Sequence, residues 1–218
     1  MLGVCDPAQR CSRSHDLSCS MSGSQLDLIP ATPSLPEGFA YQEALISTAG
    51  EQELIGRLAG LPLKGLDFHG FTARRRALSF GHHYDFARER LGTAEEIPDW
   101  LLPLRARAAA FAGVAPERLV HGLVLEYSPG STIGWHRDKA VFGDVIGISL
   151  LAPCRFRLRR KAGGTWERAA LTLTPRSAYL LRGPARTEWE HSIPAVEELR
   201  YSITFRSLAE PGSHRADA

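Results

Sequence analysis

The feature that most constrains this chain is a succession of short β-prone segments between His121 and Phe205, each cut off by turn residues. Eight are legible, at residues 122–127, 133–136, 145–151, 155–159, 170–173, 178–181, 188–192 and 200–205. Strands so short and so evenly spaced build an all-β barrel or a double-sheet jelly roll. Ahead of them the pattern differs. Residues 41–47 read as one strand, and Thr48 with Glu51 three places later forms a capping box that opens a helix through Leu54, Ile55 and Leu58. A second helix opens near Asp99, after Pro98, carries Leu101, Leu104, Ala108 and Phe111 on one side, and stops at Gly113. The expected fold is mainly β with N-terminal α elements, a jelly-roll core buttressed by helices.

Residues 1–38 are rich in Ser, Pro and Gly, show no period, and read as a disordered leader; Met21, followed by Ser22, Gly23 and Ser24, offers a second possible start. Residues 39–208 form the expected domain, and 209–218 a flexible tail. Three of four cysteines (Cys5, Cys11, Cys19) fall in the leader, where their spacing with His15 matches no zinc module. Only Cys154 lies in the folded part, so no disulfide framework staples the core and a reducing, cytoplasmic setting is expected. No apolar run approaches the ~18 residues of a membrane helix. Lys and Arg total 26 against 24 Asp and Glu, a net +2 that names no partner; its distribution says more.

The most informative stretch is Gly134-Trp135-His136-Arg137-Asp138. On an extended chain residues i and i+2 share a face, so His136 and Asp138 can grip one ion together. His191 follows at the end of another expected strand. Two histidines and a carboxylate on one face of an octahedron leave the other positions open, the arrangement of non-haem Fe(II) oxygenases. The last strand strengthens the case. Alternation along 200–206 puts Arg200, Ser202, Thr204 and Arg206 on one face and Tyr201, Ile203 and Phe205 on the other. Four inward polar residues are costly unless they meet an anion, and arginine presents a fork that fits a carboxylate. A wetted sheet face is the alternative for these arginines taken alone.

In order, Tyr127-Ser128-Pro129-Gly130, His136-Arg137-Asp138, His191 and Arg200-Tyr201-Ser202-Ile203-Thr204-Phe205-Arg206 make the segment from about Val120 to Leu208 resemble the AlkB family of 2-oxoglutarate- and Fe(II)-dependent dioxygenases. The resemblance implies a double-stranded β-helix, with His136, Asp138 and His191 as catalytic iron ligands. It implies Tyr127, Arg200 and Arg206 as 2-oxoglutarate contacts, Arg200 taking the distal carboxylate. It also implies Fe(II) as cofactor, 2-oxoglutarate and O₂ as cosubstrates, and oxidative N-demethylation that sheds formaldehyde. Leu125 and Ser202 stand where the family often has Asn, and the connection from His191 to Arg200 is short.

Two basic clusters bear on the substrate. Arg74-Arg75-Arg76 precedes Phe80-Gly81-His82-His83-Tyr84, loosely like the family's nucleotide-recognition segment. Extruded bases need aromatic or guanidinium planes to lie against, which makes Arg76, Phe80, His82 and Tyr84 candidate substrate contacts; ordinary packing is the alternative for each. The second is Arg155-Phe156-Arg157-Leu158-Arg159-Arg160-Lys161, where alternation sends Phe156 and Leu158 inward and the arginines outward. Residues 155–168 carry a net +5, so Arg157 and Arg159 read as a phosphate track, with a solvated or edge-guarding strand as the alternative. The expected enzyme is a monomer acting on methylated DNA or RNA in alkylation repair. The competing readings are an oxygenase of the same scaffold acting on a protein side chain or small molecule, and a non-catalytic binding module.

Overall fold

A computed structural model describes residues 35–68, 71–85 and 90–210. Its core is two antiparallel sheets laid face to face. The larger holds β1 (Phe39–Gln42), β2 (Lys64–Phe68), β3 (Phe71–Asp85), β5 (Leu119–Tyr127), β7 (Phe142–Leu150), β10 (Ala178–Leu181) and β12 (Arg200–Leu208) in the order β1-β10-β7-β12-β5-β3-β2, with β4 (Arg90–Thr93) on β3. The smaller runs β6 (Ile133–His136), β11 (Glu190–Ile193), β8 (Cys154–Ala162), β9 (Thr165–Leu173). This is the jelly-roll core expected from strand spacing. Among the described residues no helix is long and apolar enough to cross a membrane.

Each sheet follows from period-2 patterning. Along β12, Tyr201, Ile203 and Phe205 point to the outer face of the large sheet, where they join Leu54, Leu58, Leu104, Ala108, Val124, Ile146 and Ile148 in one core. That face is covered by α1 (Thr48–Leu58) and α2 (Leu102–Ala112), the buttresses. Between the sheets a second core gathers Leu125, Tyr127, Val145, Phe156, Leu158, Leu181 and Trp189. Both faces of the large sheet are therefore dry, and the polar residues of its inner face must answer one another or a ligand.

Several local expectations are corrected. The first strand ends at Gln42, because Ala44 takes a left-handed φ of 48° and Ser47, not Thr48, caps α1 by accepting from the Gly50 amide. Glu51 does not reach back to the cap. Its carboxylate accepts from the Leu151 amide at 2.9 Å and lies 3.7 Å from Arg176. Among the described residues Leu151 and Arg176 are the other two non-glycine residues with positive φ, so Glu51 pins a strained corner at the end of β7. The same corner fixes Ser149, whose carbonyl accepts from the Arg176 amide. At the end of α2, Gly113 adopts φ 66° and Arg182 donates to the Ala112 carbonyl, which the helix itself leaves without a donor. Strands β2, β3 and β4 and the short helix α3 (Gly183–Thr187) were not foreseen. In β3 consecutive arginines and histidines fall on both faces and mask its alternation.

Candidate active site

His136 closes β6 and His191 sits in β11, paired directly across the ladder with ring centroids 4.2 Å apart, His191 buried and His136 at the rim. Asp138 follows β6 by two residues, and its Oδ2 lies 3.7 Å from His191 Nε2. That is too far for a hydrogen bond. The other carboxylate oxygen is taken twice by Arg206, through Nε at 2.9 Å and Nη2 at 2.8 Å, while Oδ2 is buried with no hydrogen-bond partner. Burial by itself would raise the Asp138 carboxyl, but Arg206, then His191 and Arg186, outweigh it and hold the group well below the usual carboxylate range. Burial pushes His191 down to about 3 against the pull of Asp138. At neutral pH the site thus offers a carboxylate and an uncharged imidazole, the protonation states a metal requires. His136 is exposed, and its Nδ1 is 3.0 Å from the Gly134 carbonyl. A carbonyl only accepts, so Nδ1 carries the proton and Nε2 keeps its lone pair. Among the described residues no group of three or more His, Cys, Asp or Glu side chains stands already arranged to hold a metal ion; the two rings and the Asp138 carboxylate are neighbours only.

Arg200 lies deeper. It is 1% exposed, its Nη2 donates to Ser149 Oγ at 3.0 Å, and its guanidinium stacks over the Tyr127 ring at 4.4 Å. Its Nε and Nη1 are buried without partners. A buried guanidinium with an open edge is costly to keep unless an anion completes it. The donor set therefore fits both groups implied by the sequence: His136, Asp138 and His191 for a divalent iron, and Arg200 for the far carboxylate of a dicarboxylic acid. Arg206 differs from expectation. Its nitrogens are committed to Asp138 and to His121 Nδ1 at 3.1 Å, so it orients the carboxylate instead of standing open as a clamp.

The loop carrying Asp138 is tied down from α3. Buried Arg186 donates to the carbonyls of Lys139 and Phe142, and Arg137 to that of Thr187. Sequence reasoning missed Arg186, because only the packing of α3 turns it inward.

The candidate substrate residues do not gather here. Arg76 lies opposite Glu126 in the β3–β5 ladder and binds it through two bonds of 2.7 Å; Glu126 also accepts from Tyr201. All three are on the helix-side face, away from the iron ligands. Phe80 is 4% exposed in the helix-side core, so it packs and is not free to stack on a base. Arg75, opposite Tyr127 with a buried unpartnered Nε, is the arginine of that cluster that faces inward. His82 lies opposite Thr93 in the β3–β4 ladder, and the side chain of Tyr84 is outside the described residues. Arg157 and Arg159 do point outward, as alternation requires. Arg159 is held by Glu190 at 2.6 Å between the rings of Trp135 and Trp166, and Arg157 by Ser192 over Trp135. Arg160 is answered by Glu167 and Glu188. Glu190 of β11 and Glu188 just before it neutralise part of the ridge, which a count along the β8–β9 hairpin alone could not show.

The model of the 2OG-Fe(II) oxygenase superfamily matches residues 71–206. The chain belongs to that superfamily. With membership come its dioxygenase class and its Fe(II), 2-oxoglutarate and O₂. Within the superfamily its similarities are AlkB-like. It is 28% identical over 208 residues to the alkylated DNA repair protein ALKBH8 homolog of Arabidopsis thaliana, covering 84% of this chain and 58% of that protein. It is 36% identical over 120 residues to the mitochondrial alpha-ketoglutarate-dependent dioxygenase alkB homolog 7 of Bos taurus, covering 49% of this chain and 53% of the relative. To human alkB homolog 4 it is 26% identical over 171 residues, 62% and 57% of the two chains. The chain thus spans a little over half the length of these relatives. Its fold superposes on the structure of OsALKBH1 with a TM-score of 0.64, at 15% identity, over 80% of this chain and 98% of that one.

Proposed function

We propose that this protein is an Fe(II)- and 2-oxoglutarate-dependent dioxygenase that demethylates alkylated nucleobases in DNA or RNA, using His136, Asp138 and His191 as iron ligands. The observation that carries the chemistry is Arg200, fully buried, stacked on Tyr127, and with two guanidinium nitrogens unanswered on the inner face of the strand whose other end holds Asp138 through Arg206. Overall, a methylated base, O₂ and 2-oxoglutarate give the unmethylated base, formaldehyde, succinate and CO₂. Iron, when bound, supplies the oxidising power that opens the methyl C–H bond. The chain's own residues bind and orient. Arg200 holds the distal carboxylate, Tyr127 covers that ion pair, Arg206 keeps Asp138 charged and aimed, and Phe156, stacked on His191 at 5.3 Å, walls off water.

The substrate class is supported by the name of the Arabidopsis relative, an alkylated DNA repair protein homolog, and by the cation-bearing outer face of β8. A second reading has an observation of its own. Arg76, Arg159 and Arg160 are each paired with a glutamate, and an oxygenase of this scaffold acting on a protein side chain or a small molecule needs no phosphate track. Formaldehyde and succinate release should be measured on methylated oligonucleotides beside methylated peptides. Stoichiometric release from the oligonucleotides alone is expected; release from peptides alone would overturn the nucleic-acid reading.

A further inference from the structure

The outer face of the small sheet carries an arrangement that the iron site does not use. Trp135 of β6 and Trp166 of β9 stand on the two edge strands of that sheet. The Arg159 guanidinium of β8 lies between them, 4.4 Å from the Trp135 centroid and 4.3 Å from that of Trp166. Arg157 adds a second guanidinium 5.0 Å from Trp135. Two indoles and two guanidiniums thus form one band of flat groups across four strands, roughly 14 Å wide at about 4.8 Å per strand spacing.

Strand register builds this band. Glu190 lies opposite Arg159 on β11 and accepts from its Nε at 2.6 Å, while Ser192 accepts from Arg157 at 3.0 Å. On the other side Arg168 lies opposite Arg159 and Trp166 opposite Lys161, so the Trp166 ring meets Arg159 along the diagonal. Arg159 is therefore spent inside the band, as the cation between the rings. Trp166 is 40% exposed, and Arg159 is the one side chain stacked on it among the described residues.

Charge surrounds the rings. The outward positions of β8, β9 and β11 carry five cations, Arg155, Arg157, Arg159, Lys161 and Arg168, against one acid, Glu190. Only Arg159 meets that acid. Arg157 has a neutral hydroxyl, Arg168 a backbone carbonyl, and none of the other four cations has a carboxylate partner among the described residues. Phosphates call for such cations, and bases for such planes. A duplex keeps its base faces in its own stack, and an acidic peptide has no flat groups to lay on an indole. A single strand offers phosphates and base faces together, and stacking accepts any base. The band also begins at the right place, since Trp135 immediately precedes His136 at the rim of the site.

The geometry points to the outer face of the small sheet as a platform for single-stranded nucleic acid. The strand flanking the target nucleotide stacks a base on Trp166, runs towards Trp135 and the rim, and lays its phosphates on Arg155, Arg157, Lys161 and Arg168. This rests on the nucleic-acid reading of the substrate and deepens it, by giving the single strand a path outside the iron site.

The test is fluorescence-anisotropy titration of a labelled, unmethylated twelve-nucleotide oligothymidylate with the full chain. Wild type is compared with Trp166→Ala, Trp166→Phe and the double variant Lys161→Gln with Arg168→Gln. Losing one base–aromatic stack corresponds to a roughly tenfold or greater loss of affinity. Trp166→Ala should therefore bind about tenfold more weakly with its salt dependence unchanged, and Trp166→Phe, which keeps a plane, should recover most of the loss. The double variant should instead flatten the log-affinity against log-salt slope by about 1.4, at about 0.7 per charge. All three side chains are exposed, so melting temperatures should stay at the wild-type value. Equal affinity of wild type and Trp166→Ala would overturn the platform, and demethylation of oligonucleotides by wild type would then leave the proposed function standing. A duplex of the same length bound as tightly as the single strand would overturn it in favour of a merely charged face. Poly-glutamate bound with the same Trp166 dependence would overturn it in favour of an acidic-peptide site. Trp166-dependent binding of the oligothymidylate without demethylation of any methylated oligonucleotide would support the platform and overturn the substrate assignment instead.

Discussion

Removing Asp138 should cost stability as well as chemistry, and removing His136 should cost chemistry alone. The two residues are neighbours in one expected metal site, yet their surroundings differ. The Asp138 side chain is 6% exposed and its partner Arg206 12%, so their ion pair is largely out of water. Arg186, also buried, acts on the same carboxylate. Asp138→Ala would leave two buried guanidiniums with less counter-charge, and breaking one side of a buried pair costs about 3–5 kcal/mol. For a chain of this size that lowers Tm by about 10 °C. Asp138→Asn retains an oxygen for Arg206 and should fall in between. His136 is exposed, so His136→Ala should stay within about 0.5 kcal/mol of wild type. The assay is thermal melting in EDTA, which removes any contribution from metal, beside succinate formation with Fe(II) restored. Both alanine variants should lose 2-oxoglutarate turnover. The pH dependence has a fixed sign. A carboxyl held below its unfolded value contributes in full above the ordinary carboxylate range and loses that contribution as pH falls through its folded value. The gap between wild type and Asp138→Ala should therefore narrow only in strong acid. Equal melting of Asp138→Ala and wild type at neutral pH would refute the buried pair, and near wild-type decarboxylation by either alanine variant would refute the ligand assignment.

Arg200→Lys keeps the charge but loses the planar fork and the stacking on Tyr127, so the concentration of 2-oxoglutarate giving half-maximal rate should rise severalfold while turnover persists at saturation; an unchanged half-saturation would remove Arg200 from the site. Changing Arg157 and Arg159 together to Gln tests the outer face. Each lost single-strand phosphate contact flattens the log-affinity against log-salt slope by about 0.7. With Arg159 already held by Glu190, the expected change is about one contact, and equal slopes would make β8 a charged strand without a nucleic-acid role.

Local pattern revealed much of this fold and part of the site, and the boundary between the two has a physical cause. The alternation in β8 placed Phe156 and Leu158 inside, and that in β12 separated Arg200 and Arg206 from Ile203 and Phe205, because a strand's faces are fixed by counting in twos. His136 and Asp138 were legible for the same reason. What counting cannot supply is which strand lies alongside. Arg76 was a candidate substrate contact until β5 brought Glu126 opposite it, and Arg159 part of a free ridge until β11 brought Glu190. Phe80 had the right chemistry for stacking but the wrong parity, on the face that the helices cover. Glu51 matched a capping box in sequence and instead holds the Leu151 corner, a contact across 100 residues.

The division of labour in β12 explains why so short a segment bears so much of the site. Its odd-numbered residues Tyr201, Ile203 and Phe205 anchor it in the helix-side core, so its backbone is set by burial on one face. Its even-numbered residues then stand at fixed intervals on the other, two residues to each step of roughly 7 Å. Arg200 at one end pairs across to Tyr127 and is held by Ser149; Arg206 at the other pairs across to His121 and holds Asp138. The two guanidiniums thus face one interior from opposite ends of a strand that cannot slide, since a slip by one residue would exchange the polar and apolar faces throughout. The apolar half of the strand fixes the geometry, and the polar half uses it: one arginine is left open for a carboxylate that comes and goes, and the other is spent on the carboxylate that stays.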